Sequence, residues 1–192
     1  LWTVLVLATL LLASGTPYAA YFAGAQFIHV LLGPAVVALG WLLWQRRQTL
    51  RGHALALLVA ALAGGGAAAA SALVLGQLAG LPPAVLASLA PKSVTAPVAM
   101  GIAERIGGVP ALAAVFAVLT GLIGAVTAPY LFKALRITSP AVRGFALGTA
   151  AHGIGAARAL QEHPDAGGHA GLAFALQAVL AALLLPLVMR LF

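Results

Sequence analysis

Apolar residues run along this chain in blocks too long for a soluble fold, and its polar residues gather where the blocks are interrupted. Leu1–Ala13 is apolar but short of the roughly 20 residues that span a bilayer. It starts at Leu1 with no Met and no charged leader, so the chain is expected to lack its N-terminal helix. Gly15-Thr16-Pro17-Tyr18 is a turn, and Phe27–Trp44 is the next block, with Gln26 and His29 at its polar start. Ala54–Leu75 follows, carrying Gly64-Gly65-Gly66 and four alanines that permit close helix packing. Ala111–Phe132 and Ala170–Leu191 complete about five spans.

Two segments depart from this pattern. Ala84–Ala90 is a short apolar helix former that runs into Pro91-Lys92-Ser93-Val94-Thr95-Ala96-Pro97 and then Val98–Ile106. Two prolines this close break a helix, because each removes a backbone donor and clashes with the preceding turn. Arg143–Leu160 is rich in glycine around Thr149 and His152, a poor free-standing helix. The fold expected is an all-α polytopic membrane protein: one domain over 1–192, with broken segments at 84–108 and 143–160.

Charge distribution refines the topology. Arg46, Arg47 and Arg51 form one basic stretch, and Lys133, Arg136 and Arg143 a second. Cytoplasmic loops collect such residues. If 84–106 crossed the bilayer, the second stretch would lie outside; if it dips in and returns, both lie inside. The expectation is a re-entrant hairpin from the outer side and a second broken segment from the cytoplasmic side. Opposed broken segments of this kind build transport sites near the midplane.

Composition then removes whole classes of function. Of 192 residues 7% are charged and 63% hydrophobic, and mean hydropathy is +1.10. A soluble enzyme or a nucleic-acid-binding module needs far more polar surface, so the net charge of +7 is read as membrane orientation. Cysteine is absent and only three acids are present, which leaves no thiolate chemistry and no acidic metal cluster. His163, Asp165 and His169 are read as members of a polar loop at 161–169, with no metal. No nucleophile–base–acid arrangement is visible, so neither enzyme activity nor a cofactor is expected.

Arg190 ends the last span and Glu162 and Asp165 sit in the polar loop, so the remaining charges, Lys92, Glu104, Arg105 and Arg158, fall in the broken segments. Lys92 sits between two prolines in a long uncharged stretch; a charge at membrane depth costs about 2.5–3.5 kcal/mol even on the gentler insertion scale. Substrate contact is one reading, and snorkelling or pairing with Glu104 the other. Ser93 and Thr95 supply hydroxyls for a ligand or for carbonyls freed by Pro97. Thr149, His152, Gly153 and Gly155 combine polar groups with close backbone approach. Arg158 suits a bidentate carboxylate clamp or a helix end at the interface. Glu104 and Arg105 are assigned to charge pairing or proton coupling, with Lys92 or Arg158 as partners for the glutamate.

Two long motifs resemble the LrgB/CidB family. One is Pro91-Lys92-Ser93-Val94-Thr95-Ala96-Pro97-Val98-Ala99 with Ile106-Gly107-Gly108-Val109-Pro110. The other runs from Arg143-Gly144-Phe145 through His152-Gly153-Ile154-Gly155 to Arg158-Ala159. Thr16-Pro17-Tyr18 and Leu31-Leu32-Gly33-Pro34-Ala35 also fit, so the resemblance covers nearly the whole chain. It implies a bacterial inner-membrane protein, usually with a further membrane segment ahead of Leu1. It also implies kinship to the plastidal glycolate/glycerate translocator, and small-carboxylate transport with pyruvate included. The alternative it implies is an antiholin-like regulator of murein hydrolases and lysis, working with an LrgA/CidA-type partner. A carrier for glycolate, glycerate or pyruvate, as a homodimer, is the first expectation. The placement of cations and hydroxyls inside broken segments favours it over an association-only regulator, and saturable flux would separate it from a bare channel.

Overall fold

A computed structural model describes residues 2–37, 41 and 44–190. It is all-helical, with no strand among the described residues. The chain divides into two compact units, Leu1–Val37 and Ala38–Phe192.

The first unit holds α1 (Trp2–Ala13) and α2 (Tyr18–Val37). Between them the Ser14 and Thr16 hydroxyls lie 2.7 Å apart around Gly15, whose φ of +63° is the left-handed conformation that a side chain disfavours. The second unit holds α3 (Arg47–Leu78), α4 (Pro83–Leu89), α5 (Ala96–Arg105), α6 (Pro110–Ala134), α7 (Pro140–Glu162) and α8 (Pro164–Val188).

Among the described residues three helices are long and apolar enough to cross a membrane: Arg51–Leu78, Pro110–Ala134 and Pro164–Val188. Of the other expected spans, α1 has 12 residues, and part of Phe27–Trp44 (38–40, 42 and 43) lies outside the described residues, as do the side chain of His29 and residue 191. The core of the second unit is built largely from alanine and glycine, which lets backbones approach where lipid supplies no hydrophobic drive. Large apolar side chains such as Leu55, Ile123, Val126 and Leu183 face outward.

Three polar stretches expected as loops are mostly helix. The first basic stretch begins α3, which bends at His53 (φ −131°, ψ 24°). Arg47 stacks on the Trp44 ring, 4.7 Å from its centroid, so an aromatic partner rather than a loop holds it. The second basic stretch is split between the end of α6 and the start of α7, leaving only 135–139 between helices. There the Arg143 Nε–H donates to the Ile137 carbonyl at 2.8 Å. Residues 161–169, expected as a polar loop, close α7 and open α8. His163 caps α8 by accepting the Asp165 N–H at 3.1 Å, and Asp165 suits the positive end of the helix dipole.

The two interrupted segments are held in different ways. In the first, the Ser88 hydroxyl donates to the Ala84 carbonyl and accepts the Val109 N–H, both at 2.7 Å. Residues 89–108 therefore leave and return to one point, with Gly107 (φ +81°) turning the chain two residues past the end of α5. In the second, α7 reverses direction at Ala151 and His152 (φ +43°, ψ −135°). Gly144 lies against Ala166 and Gly148 against Ala170, so residues 140–150 run parallel to α8. Gly155 lies against Leu147, and Gly167 against Leu160, so residues 153–162 run back antiparallel to both.

Candidate functional site

The second reversal lies where α3 and α6 present glycines. The tip of the α7 hairpin lies between them. An added Cβ at Gly64 would stand 3.2 Å from the Thr149 methyl, and one at Gly124 2.7 Å from the Ala151 methyl. At Gly121 it would meet the His152 ring at 2.9 Å. Substituting any of these positions would push the tip away from its present seat.

His152 is buried, and its ring lies 2.8 Å from the Ala117 carbonyl through Nε2. A carbonyl only accepts, so Nε2 carries the hydrogen. The imidazole ties the tip of the α7 hairpin to α6, and its positive φ is a strained conformation maintained by that packing. Thr149 is also buried, and its hydroxyl donates to the Phe145 carbonyl at 2.9 Å. Gly155 is buried against Leu147, whereas Gly153 has open space where a side chain would begin.

In the first hairpin Lys92 and Thr95 are half-buried and Ser93 is buried. Pro91 and Val94 are among the largest fully enclosed side chains of the protein, so the turn carrying Lys92 is packed on both sides. Glu104 and Arg105 lie at the exposed end of α5. Among the described residues the ion pairs are Arg158–Glu162 and His169–Asp165, each at 3.2 Å. Lys92, Glu104 and Arg105 take part in neither.

A cavity of about 690 Å³ opens between α3, α4 and its following turn, and α8. Gly65, Gln77, Ala87, Ser93, Gln177 and Leu180 are among its walls, and none of its lining residues is ionisable. Ser93 is the expected site residue that reaches this cavity. Lys92, Thr95, Thr149, His152, Gly153, Gly155 and Arg158 do not line it.

Gln177 is the residue that sequence reasoning missed. Its carboxamide is buried against Gly65, where any side chain would collide with it, and its Oε1 has no hydrogen-bond partner. Such a group costs about 1–3 kcal/mol when left unsatisfied. The pairing of Gly144 with Ala166 and of Gly148 with Ala170 puts the α7 tip level with residue 174 of α8. Gln177 thus lies about 5 Å further along, at 1.5 Å per residue. The one signal available in the sequence was a lone amide in the middle of the block Ala170–Leu191, which is otherwise apolar up to Arg190 at its end.

The chain matches the model of the LrgB-like family over residues 1–191. It is 36% identical over 190 residues to the uncharacterized protein YxaC of Bacillus subtilis (strain 168), which covers 99% of this chain and 82% of that protein. It is 32% identical over 190 residues to an uncharacterized protein of Haemophilus influenzae, covering 98% and 82%. It is 28% identical over 182 residues to the holin-like protein CidB of Staphylococcus aureus (strain N315), covering 95% and 80%. No solved structure matches it.

Proposed function

This chain belongs to the LrgB-like family, and from that premise we propose that it carries small monocarboxylates of the glycolate, glycerate and pyruvate class across the bacterial inner membrane. The observation that supports this most is the pair of helix reversals, one at 89–108 and one at Ala151-His152, that turn back inside the body of the protein. Residues 140–150 rise about 16 Å, close to half of a 30 Å hydrocarbon core. A hairpin of that length ends near the midplane. Because residues 89–108 return to Ser88, the first broken segment also dips in and comes back. Then α3 and α6 cross in opposite senses, and both basic stretches share the cytoplasmic side, as topology bias favours.

In this reading the substrate sits between the two hairpins, where reversed backbones leave helix N-termini unsatisfied. Ser93 contacts the substrate directly, and Lys92 attracts the carboxylate to the turn. Thr95, Thr149 and Gly153 supply further polar or open positions around the gap. His152, Gly155 and Arg158 act through position, since each is engaged with Ala117, Leu147 or Glu162. Glu104 and Arg105 at the exposed end of α5 serve coupling rather than binding.

Purified protein in liposomes is expected to take up labelled glycolate and pyruvate with saturation, and Lys92→Ala to abolish uptake. No uptake of any acid in the panel sinks the carrier; unsaturable flux makes the protein a channel. Undiminished uptake by the variant removes Lys92 from the site. A second reading, an antiholin-like regulator acting with an LrgA/CidA-type partner, is favoured by the likeness to a holin-like protein. It requires no flux, and lysis that responds to substitutions on the outward apolar faces.

A further inference from the structure

We propose that the turn joining α6 to α7 binds the phosphate headgroup of an anionic membrane phospholipid, with Arg136 as the residue that meets it and Lys133 and Arg143 flanking it. The inference rests on α6 crossing the membrane, which puts its end at headgroup level, and not on the carrier reading.

Among the described residues four helices close in the same way. The chain turns through one left-handed residue, and the next N–H reaches back to the carbonyl five positions earlier. At the ends of α1, α3 and α5 that residue is Gly15, Gly80 or Gly107. At the end of α6 it is Arg136 (φ +54°), with the Ile137 N–H on the Phe132 carbonyl at 2.9 Å. Glycine adopts this conformation freely and a residue with a Cβ does not, so the turn would form more readily without the arginine. Arg136 is exposed, and among the described residues its side chain makes no hydrogen bond, ion pair or ring contact. What favours arginine there is charge offered outward.

The surroundings add to that charge. Lys133 is exposed on the last turn of α6. Arg143 lies over the Phe132 ring, 5.5 Å from its centroid, and donates through Nε to the Ile137 carbonyl, which leaves its terminal amino groups for a further acceptor. The sequence holds no acid between Glu104 and Glu162. Glu162 and Asp165, at the junction of α7 with α8, are engaged by Arg158 and His169. Three cations without a matching acid, at the end of a membrane-crossing helix, suit a phosphodiester. Guanidinium groups bind its oxygens in pairs, and cations beside a membrane span are drawn to anionic lipid. A zwitterionic headgroup carries its own cation and offers no net charge.

The purified full chain is placed in nanodiscs of phosphatidylcholine, with or without phosphatidylglycerol, and unfolded by heat. Wild type is expected to unfold at higher temperature in the anionic discs. Arg136→Gly is expected to forfeit about 2–4 °C of that gain, the worth of one cation at an anionic surface. In phosphatidylcholine alone the same variant is expected to unfold about 2–4 °C above wild type, because the left-handed strain is relieved. Arg136→Lys keeps both charge and strain and is expected to follow wild type in both discs. Lys133→Gln leaves the turn unchanged and is expected to lose a similar share of the anionic gain. Equal gains from phosphatidylglycerol in wild type and Arg136→Gly overturn the site. So does an Arg136→Gly variant that unfolds below wild type in phosphatidylcholine, since the arginine then serves the fold. Soluble glycerol phosphate that raises wild type in phosphatidylcholine discs as far as phosphatidylglycerol does makes the ligand a free anion and overturns the lipid.

Discussion

The two interrupted segments reverse the chain by opposite means. In the first, Pro91 and Pro97 bracket the turn, and one buried hydroxyl, Ser88, ties its return to its departure. In the second no proline stands at the tip; Ala151 and His152 leave helical geometry, and glycines on α3, α6 and α7 together with the His152–Ala117 bond hold them there. The first turn is built into the covalent chain, because proline cannot continue a helix. The second is imposed by neighbours, since a histidine at φ +43° costs about 1–3 kcal/mol that only packing offsets. A proline-set turn survives the loss of one contact, whereas a packing-set turn does not.

The largest effect is expected where the second hairpin meets α8. Gly148→Ala places a methyl group against the Ala170 carbonyl, so backbones must separate. A loss of more than about 3 kcal/mol is expected, seen as failure to recover monodisperse protein. A soluble, wild-type-like Gly148→Ala would break the view that this hairpin depends on packing.

Next comes His152→Ala, which removes the bond to Ala117 and keeps the unfavourable backbone. A loss of about 2 kcal/mol is expected in thermal unfolding. His152→Gly loses the same bond but relieves the positive φ, so it is expected to be milder by about 1 kcal/mol. Equal effects would show that the reversal carries no strain.

Ser88→Ala removes the acceptor of the part-buried Val109 N–H and is expected to cost about 1 kcal/mol. Amide exchange at Val109 should accelerate with it. The smallest effect is expected from Pro91→Ala, about 0.5–1 kcal/mol, because packing around Val94 and the second proline still favour the turn. An effect there larger than that of His152→Ala would invert the comparison.

Much of this was legible from residue order. Pro91, Pro97 and the short helix former between Pro83 and Ala90 announce a broken segment, and long apolar blocks announce the three helices that, among the described residues, are long and apolar enough to cross a membrane. The glycines around His152 announced irregularity but not its form, because the sequence carries no mark separating a kink from a full reversal. The polar stretch 161–169 misled in the other direction: its residues are those of a loop, but His163 and Asp165 form a helix cap. Arg158 and Glu162 stand four residues apart, the spacing of a helical ion pair, but the reading of 161–169 as a loop hid it.

Membrane residence, the helical class, the family and the place of the proline-set turn are all written in the order of residues. These follow from how many apolar residues are contiguous and from what proline forbids, and both are local properties. That α7 folds back on itself and that His152 faces Ala117 come from the packed fold alone. It alone set Gln177 against Gly65 with an unpaired oxygen beside a cavity free of charged side chains. Those outcomes depend on which helix backbones approach closely. That is settled by glycines lying on separate helices, and the physical reason is steric: a missing Cβ matters only when something from elsewhere in the chain occupies its space.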